Sequence, residues 1–163
     1  MLMVFVISTM VAQDTISAYV IDEGKQMTNI RNSPQGAVVM KLRPTPSYVF
    51  LLTTPDANGW WRAVDIYNAE GDEEITLTGS ATDSYWIHYS VIGLGTRNYG
   101  GQTLVLRSEP TVNAPVVFSF ADERILRPVD VCGEWMKVKT VDGKHVGWIE
   151  MEWLCSNPLT NCC

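Results

Sequence analysis

From Gly133 to Ile149 the chain reads GEWMKVKTVDGKHVGWI. Two runs rich in β-branched and aromatic residues flank Asp142-Gly143, a dipeptide suited to a tight turn, so the stretch predicts a β-hairpin. An earlier part of the chain carries related blocks. Gly59-Trp60-Trp61-Arg62-Ala63-Val64 matches Gly133-Glu134-Trp135-Met136-Lys137-Val138, and Tyr85-Trp86-Ile87-His88 matches Gly147-Trp148-Ile149-Glu150. Further upstream, Ile30-Arg31-Asn32-Ser33-Pro34 answers to Leu106-Arg107-Ser108-Glu109-Pro110, and Val38-Val39 with Leu42 to Val116-Val117 with Phe120. The series closes with Val91-Ile92 against Trp153-Leu154. The blocks keep their order, which is the mark of an internal repeat.

The segments between the turns favour strands throughout. Val38–Leu42, Tyr48–Leu52, Trp60–Ile66, Leu104–Arg107, Val116–Phe120, Ile125–Val131 and Trp135–Val141 are separated by Asn58-Gly59, Glu70-Gly71-Asp72, Gly100-Gly101, Cys132-Gly133 and Asp142-Gly143. No stretch past the first residues shows a sustained helical period with caps. The fold class is therefore all-β.

The combined pattern is an apolar residue with Arg and a following Pro, then Val-Val, then Gly-x-Trp, then Asp-Gly-Lys-x-x-Gly-Trp-Ile. It resembles the bacterial SH3-like (SH3b) domain, and the second copy fits more closely than the first. The resemblance implies two consecutive small SH3-like β-barrels. On that reading residues 14–92 form a first barrel with an inserted hairpin, 93–101 a linker, and 102–163 a second barrel with a Cys-rich tail. The inserted hairpin is expected from Asp65 to Tyr85, with Ile66-Tyr67 going out, Ile75-Thr76-Leu77-Thr78 returning, and the carboxylates Glu70, Asp72, Glu73 and Glu74 at a solvated tip. The linker, GLGTRNYGG, holds four glycines but is short enough for the barrels to pack into one unit.

The formal charge of −6 opposes phosphate backbones and anionic membranes, so nucleic acid is not an expected partner. Residues 1–13 begin with the apolar run MLMVFVISTMV and reach the small residue Ala12, as a signal peptide does, although no basic residue precedes the run. Export to the periplasm, cell surface or medium is the expectation, with an apolar first strand as the rival reading. The run is about half of the ~20 residues that span a bilayer, so no membrane span is expected. Cys132, Cys155, Cys162 and Cys163 crowd the end of the chain and suggest one or two disulfides, at least one of them within the second barrel; three complete pairings are open. Their spacing lacks the paired C-x₂₋₄-C of a zinc site, and no cofactor or metal is expected.

Large aromatics matter in a barrel with little core, each buried one contributing roughly 1.5–3 kcal/mol. Trp61 is aligned with Trp135, and Trp86 with Trp148; all four are expected in cores or in the seam between the barrels. Trp60 points opposite to Trp61 by strand alternation. It heads the ligand-binding candidates, with Trp153, His88, and Tyr67 and Tyr85 if the inserted segment folds over a cleft between the barrels. Arg31 and Arg107 are expected to anchor the loops that follow them. A catalytic centre needs a nucleophile, a base and a group that orients the base. With two histidines in the chain, a Cys132–His145 pairing is the one arrangement to consider, and it has no supporting domain. No catalytic residue is assigned. The resemblance implies a non-catalytic module recognising a peptide, a peptidoglycan fragment or a protein partner. A structural subunit of an envelope complex or homo-oligomer, and an accessory to a cell-wall hydrolase, are the alternatives.

Overall fold

The computed structural model describes residues 15–21, 26–43, 47–53, 55–71, 75, 77 and 84–162. The expected leader at 1–13, the carboxylates Asp72, Glu73 and Glu74, and Cys163 lie outside the described residues. The strands are β1 (Ile16–Val20), β2 (Thr28–Arg31), β3 (Val38–Leu42), β4 (Tyr48–Leu52), β5 (Trp60–Asn68), β6 (Tyr85–His88), β7 (Ile92–Thr96), β8 (Leu104–Arg107), β9 (Val116–Phe120), β10 (Ile125–Cys132), β11 (Trp135–Thr140), β12 (Val146–Glu150) and β13 (Leu154–Cys155). Short 3₁₀ turns at Tyr89–Val91 and Met151–Trp153 precede β7 and β13. The chain is all-β, as its composition and turns predict.

Among the described residues all strand pairs are antiparallel and belong to a single open sheet in the order β3-β2-β6-β5-β4-β1-β7-β10-β11-β12-β8-β9, with β13 added to β7. The repeat is visible in this order. β2 to β7 with their 3₁₀ turn correspond one for one to β8 to β13 with theirs. Arg31 lies opposite Trp86 where Arg107 lies opposite Trp148. Both arginines also close the loop that follows them: Arg31 Nη1 donates to the Gly36 carbonyl at 2.6 Å and Arg107 Nη1 to the Ala114 carbonyl at 2.9 Å. These bonds explain an arginine ahead of each proline loop.

The stretch read as a linker begins inside the sheet. Residues 93–96 run in β7, where Ile92 and Gly93 pair with β1, Leu94 and Gly95 with β10, and Gly95 and Thr96 with β13. Buried polar groups hold the end of this strand. Thr96 Oγ1 donates to Asn98 Oδ1 at 2.8 Å and accepts from the Arg124 amide at 3.0 Å, while Asn98 Nδ2 donates to the Ala121 carbonyl at 2.7 Å. Glycine in β7 serves close approach here: a Cβ on Gly93 would sit 2.6 Å from Ile125 Cγ2.

One hydrophobic cluster extends from Ile16, Phe50 and Trp61 to Leu106, Met136 and Ile149, so both halves share a core. Trp61 is fully buried, and its indole Nε1 donates to the Pro128 carbonyl of β10 at 3.0 Å. Pro128 has no N–H to give to a ladder, and the sheet accommodates it by a register shift between Pro128 and Asp130. The outgoing leg of the expected hairpin belongs to this core as well. β5 continues to Asn68 paired with β4, Ile66 is buried opposite Phe50, and Ile75 and Leu77 pack against the cluster outside any strand.

Candidate functional site

The register places cations and aromatics on the outward face of β2, β6 and β5. Trp86 lies between Arg31 on β2 and Arg62 on β5, and in the next row His88 faces Trp60. Residues directly opposite on neighbouring strands share a face, so these five side chains form one surface. The Trp60 and His88 rings stand 5.1 Å apart and tilted, the Arg31 guanidinium lies 5.9 Å from the Trp60 centroid, and Tyr89 follows at 4.4 Å from His88.

The turn before β5 fixes Trp60. Asp56 Oδ1 accepts from the Asn58 amide at 2.9 Å and from the Trp60 amide at 2.8 Å. Gly59 takes φ +80° in this turn, and a Cβ there would meet the Tyr89 ring at 2.4 Å. His88 is oriented from its own side of the sheet. Its Nδ1 lies 2.8 Å from Ser90 Oγ and accepts from the Ser90 amide at 3.3 Å, which caps the 3₁₀ turn. Burial pushes the His88 pKa down, outweighing the opposing pull of the Asn58 backbone and the Asp56 carboxylate. The neutral ring is therefore favoured, its Nδ1 an acceptor for the capping amide.

The second half builds a related face with different charge. Trp148 lies between Arg107 and Lys137, with the Lys137 ammonium 5.8 Å from its ring centroid, and Glu150 stands opposite Trp135. This register corrects the alignment of the tryptophans. With Trp86 equivalent to Trp148, Trp60 rather than Trp61 is the partner of Trp135, and Trp61 is the partner of Met136. The turn before β11 carries Glu134 after its glycine, where Gly59 leads directly into Trp60. A slip of one residue exchanges the faces of a strand, and burial decides it: Trp61 and Met136 are buried, Trp60 and Trp135 half-buried. Trp86, Trp135 and Trp148 are thus surface-row residues and not core, the reverse of the expectation for three of the four.

Of the ligand candidates, the structure brings Trp60 and His88 into contact and separates the others. Tyr67 is exposed on β5 opposite Val49, seven residues or ~23 Å of strand beyond Trp60. Tyr85 stands opposite the buried Ala63 and packs toward the core, on the face away from Trp60. Trp153 borders a small cavity of about 90 Å³ in the second half, with Arg107, Trp135 and Glu150. Arg31, Arg62, Trp86 and Asp56 escaped the sequence reading as site residues. Alternation outward from the buried Trp61 was the available signal for Arg62, and Asp56-x-Asn58-Gly59 for the turn.

No protein-family model matches the chain, and no curated protein sequence matches it. Solved structures do. NlpC1 from Trichomonas vaginalis matches with 13% identity over 94% of this chain and 50% of its own, at a TM-score of 0.32. NlpC2 from the same organism matches with 12% identity over 87% of this chain and 48% of its own, also at 0.32. The chain thus spans about half the length of these structures.

Among the described residues no group of three or more His, Cys, Asp or Glu side chains is placed to hold a metal ion, and no helix is long and apolar enough to cross a membrane. Cys155 and Cys162 form a disulfide, while Cys132 is a free, exposed thiol. The disulfide lies within the second half, as expected. Chemically, the face around Trp60 offers flat apolar rings beside guanidinium donors, a combination that stacks on planar or aliphatic groups and pairs with carboxylates or carbonyls.

Proposed function

We propose that this chain is a non-catalytic binding protein of two consecutive SH3-like units, exported from its cell, that recognises a peptide, a peptidoglycan fragment or a protein partner. The observation that carries the reading is the outward cluster of Trp60, Trp86 and His88 flanked by Arg31 and Arg62. Aromatic and arginine side chains held on strands, with few rotamers left to freeze on binding, are the residues that dominate recognition energies. The equivalence of β2–β7 with β8–β13 supports the division into two related units. The Cys155–Cys162 disulfide supports an oxidising compartment.

Titration of the protein against peptide and peptidoglycan-fragment arrays tests the reading. Trp60→Ala, which leaves Trp61 and the core in place, is expected to lower affinity for the captured ligand by at least about tenfold. Equal capture by the variant would refute the assignment of this face.

A second reading, a structural subunit or homo-oligomer, is favoured by the two ends of the sheet. Val38 and Val39 on β3 and Val116 and Val117 on β9 are between 38% and 52% exposed on strands with one unpaired edge among the described residues. Light scattering over a concentration series separates the two readings, since edge pairing predicts a concentration-dependent mass and the binding module a constant one.

A further inference from the structure

The outward rows of the first half extend across four strands. Lys41 of β3 lies opposite Asn29 of β2. Asn29 stands two residues before Arg31 on the same side of β2, and the antiparallel register that sets Arg31 against Trp86 sets Asn29 beside His88. One row is therefore Lys41, Asn29, His88 and Trp60, and the next holds Arg31, Trp86 and Arg62. Lys41 is exposed, while Arg31 and Arg62 are half-buried. Arg31 gives Nη1 to the Gly36 carbonyl and keeps further N–H groups for a ligand. The two rows carry three cations and no carboxylate, in a chain whose formal charge is −6. The acids of β5 and of the turn before it serve the backbone: Asp56 accepts from the Asn58 and Trp60 amides, and Asp65 from the Ile66 amide at 2.9 Å.

The second half supplies an internal comparison. Its equivalent rows are Ser119, Val105, Glu150 and Trp135, then Arg107, Trp148 and Lys137. The two tryptophans and the cations flanking Trp148 are kept, but Ser119 stands in the place of Lys41 and Glu150 in that of His88. An anion approaching Trp135 meets a carboxylate of its own sign, where one approaching Trp60 meets an imidazole. The halves thus repeat a shape and differ in the charge they present.

Dimensions narrow the ligand further. Neighbouring strands lie ~4.8 Å apart, so the three steps from Lys41 on β3 to Arg62 on β5 cover ~14 Å. An extended chain advances ~3.4 Å per residue, and the side chains of residues i, i+2 and i+4 point to one side over ~14 Å. We propose that the Trp60 face takes an extended acidic peptide crossing β3, β2, β6 and β5, with carboxylates on alternate residues meeting Lys41, Arg31 and Arg62 and its backbone lying over Trp86. The inference rests on this face being the binding surface. The second-half face, with Glu150 in it, does not take this ligand. Single-stranded nucleic acid also joins anions to groups that stack on rings, but the charge of −6 opposes a long polyanion.

The test is isothermal titration calorimetry of the full chain, disulfide intact. The probes are the capped pentapeptide Glu-Ala-Glu-Ala-Glu, its Gln-Ala-Gln-Ala-Gln counterpart and a short oligothymidylate. One site per chain is expected, at least about tenfold tighter for the acidic peptide than for the amide one and weakened by added salt. Arg62→Gln should weaken it by about fourfold, and His88→Glu, which copies the charge of the second-half row, should abolish it while the circular dichroism stays that of the native protein. No saturable binding of the acidic peptide, two equal sites, unchanged binding in Arg62→Gln, or tighter binding of oligothymidylate would overturn the proposal. Equal binding of the two peptides, lost in Trp60→Ala, would overturn the acidic specificity and leave the face itself standing. Acidic-peptide binding that Trp60→Ala and Arg62→Gln both leave unchanged would overturn the face as well.

Discussion

Replacing Trp61 by Phe tests whether the two halves fold as one. The indole occupies a fully buried position in the first half and donates to the Pro128 carbonyl in the second. Phe keeps an aromatic ring but deletes the donor, which costs ~1–3 kcal/mol when a buried acceptor loses its partner. The smaller ring also leaves space, at ~24 cal/mol for each Å³ that the surroundings do not fill. Together these give a loss of about 2–4 kcal/mol. With a urea slope of ~2 kcal/mol/M, the unfolding midpoint should fall by roughly 1–2 M. The assay is urea unfolding followed by both tryptophan fluorescence and far-UV circular dichroism. Because the substituted side chain bridges the halves and the core is continuous, both probes should move together in a single transition. A shift under ~0.3 M, or two transitions of which only one moves, would refute the reasoning.

Three further outcomes follow from the local geometry. Asp56→Ala removes the acceptor for the Asn58 and Trp60 amides and should destabilise by ~1–2 kcal/mol, with Trp60 fluorescence shifted toward that of an exposed ring; Asp56→Asn, which keeps an acceptor, should recover most of the loss. The His88 pKa is lowered in the folded state, so between its folded value and the unfolded 6.5 the unfolded chain binds more protons. Its contribution is thus intact above pH 6.5 and is lost as pH falls through the folded value; melting curves from pH 7.5 to 4.5 should show this loss in the native protein and not in His88→Gln. Reduction of Cys155–Cys162 opens a loop with a sequence separation of 7, worth ~2 kcal/mol by loop closure, and should raise amide exchange at 156–162 while leaving the Trp61 bond protected.

What the sequence reveals and what it hides divide along physical lines. Strand positions were legible because β-branched runs and Gly-containing turns are local signals, as at Val116–Phe120 and Asp142-Gly143. The repeat exposed the roles of Arg31 and Arg107, since a loop anchor acts within a few residues of its own position. The Trp60-Trp61 pair was harder. Two adjacent tryptophans fit either face, and the distant Pro128 carbonyl, 67 residues away, shows which one is buried. Likewise Ile66 and Asn68 read as the leg of a projecting arm because their partners on β4, Phe50 and Tyr48, are remote in sequence. The neighbours of Trp60 follow from cross-strand register, which residue types alone do not encode.

The strand β7 has a consequence for how such a chain can be cut or lengthened. It finishes the first set of strands and starts the second, much as a shared wall serves two rooms, because it pairs at once with β1, β10 and β13. A gene fragment beginning at Gly101 would therefore encode a second half lacking its opening wall, and one ending at Val91 a first half lacking its closing one. An added unit would bring counterparts of β8 to β13 and no counterpart of β1, building outward from Leu154 and Cys155.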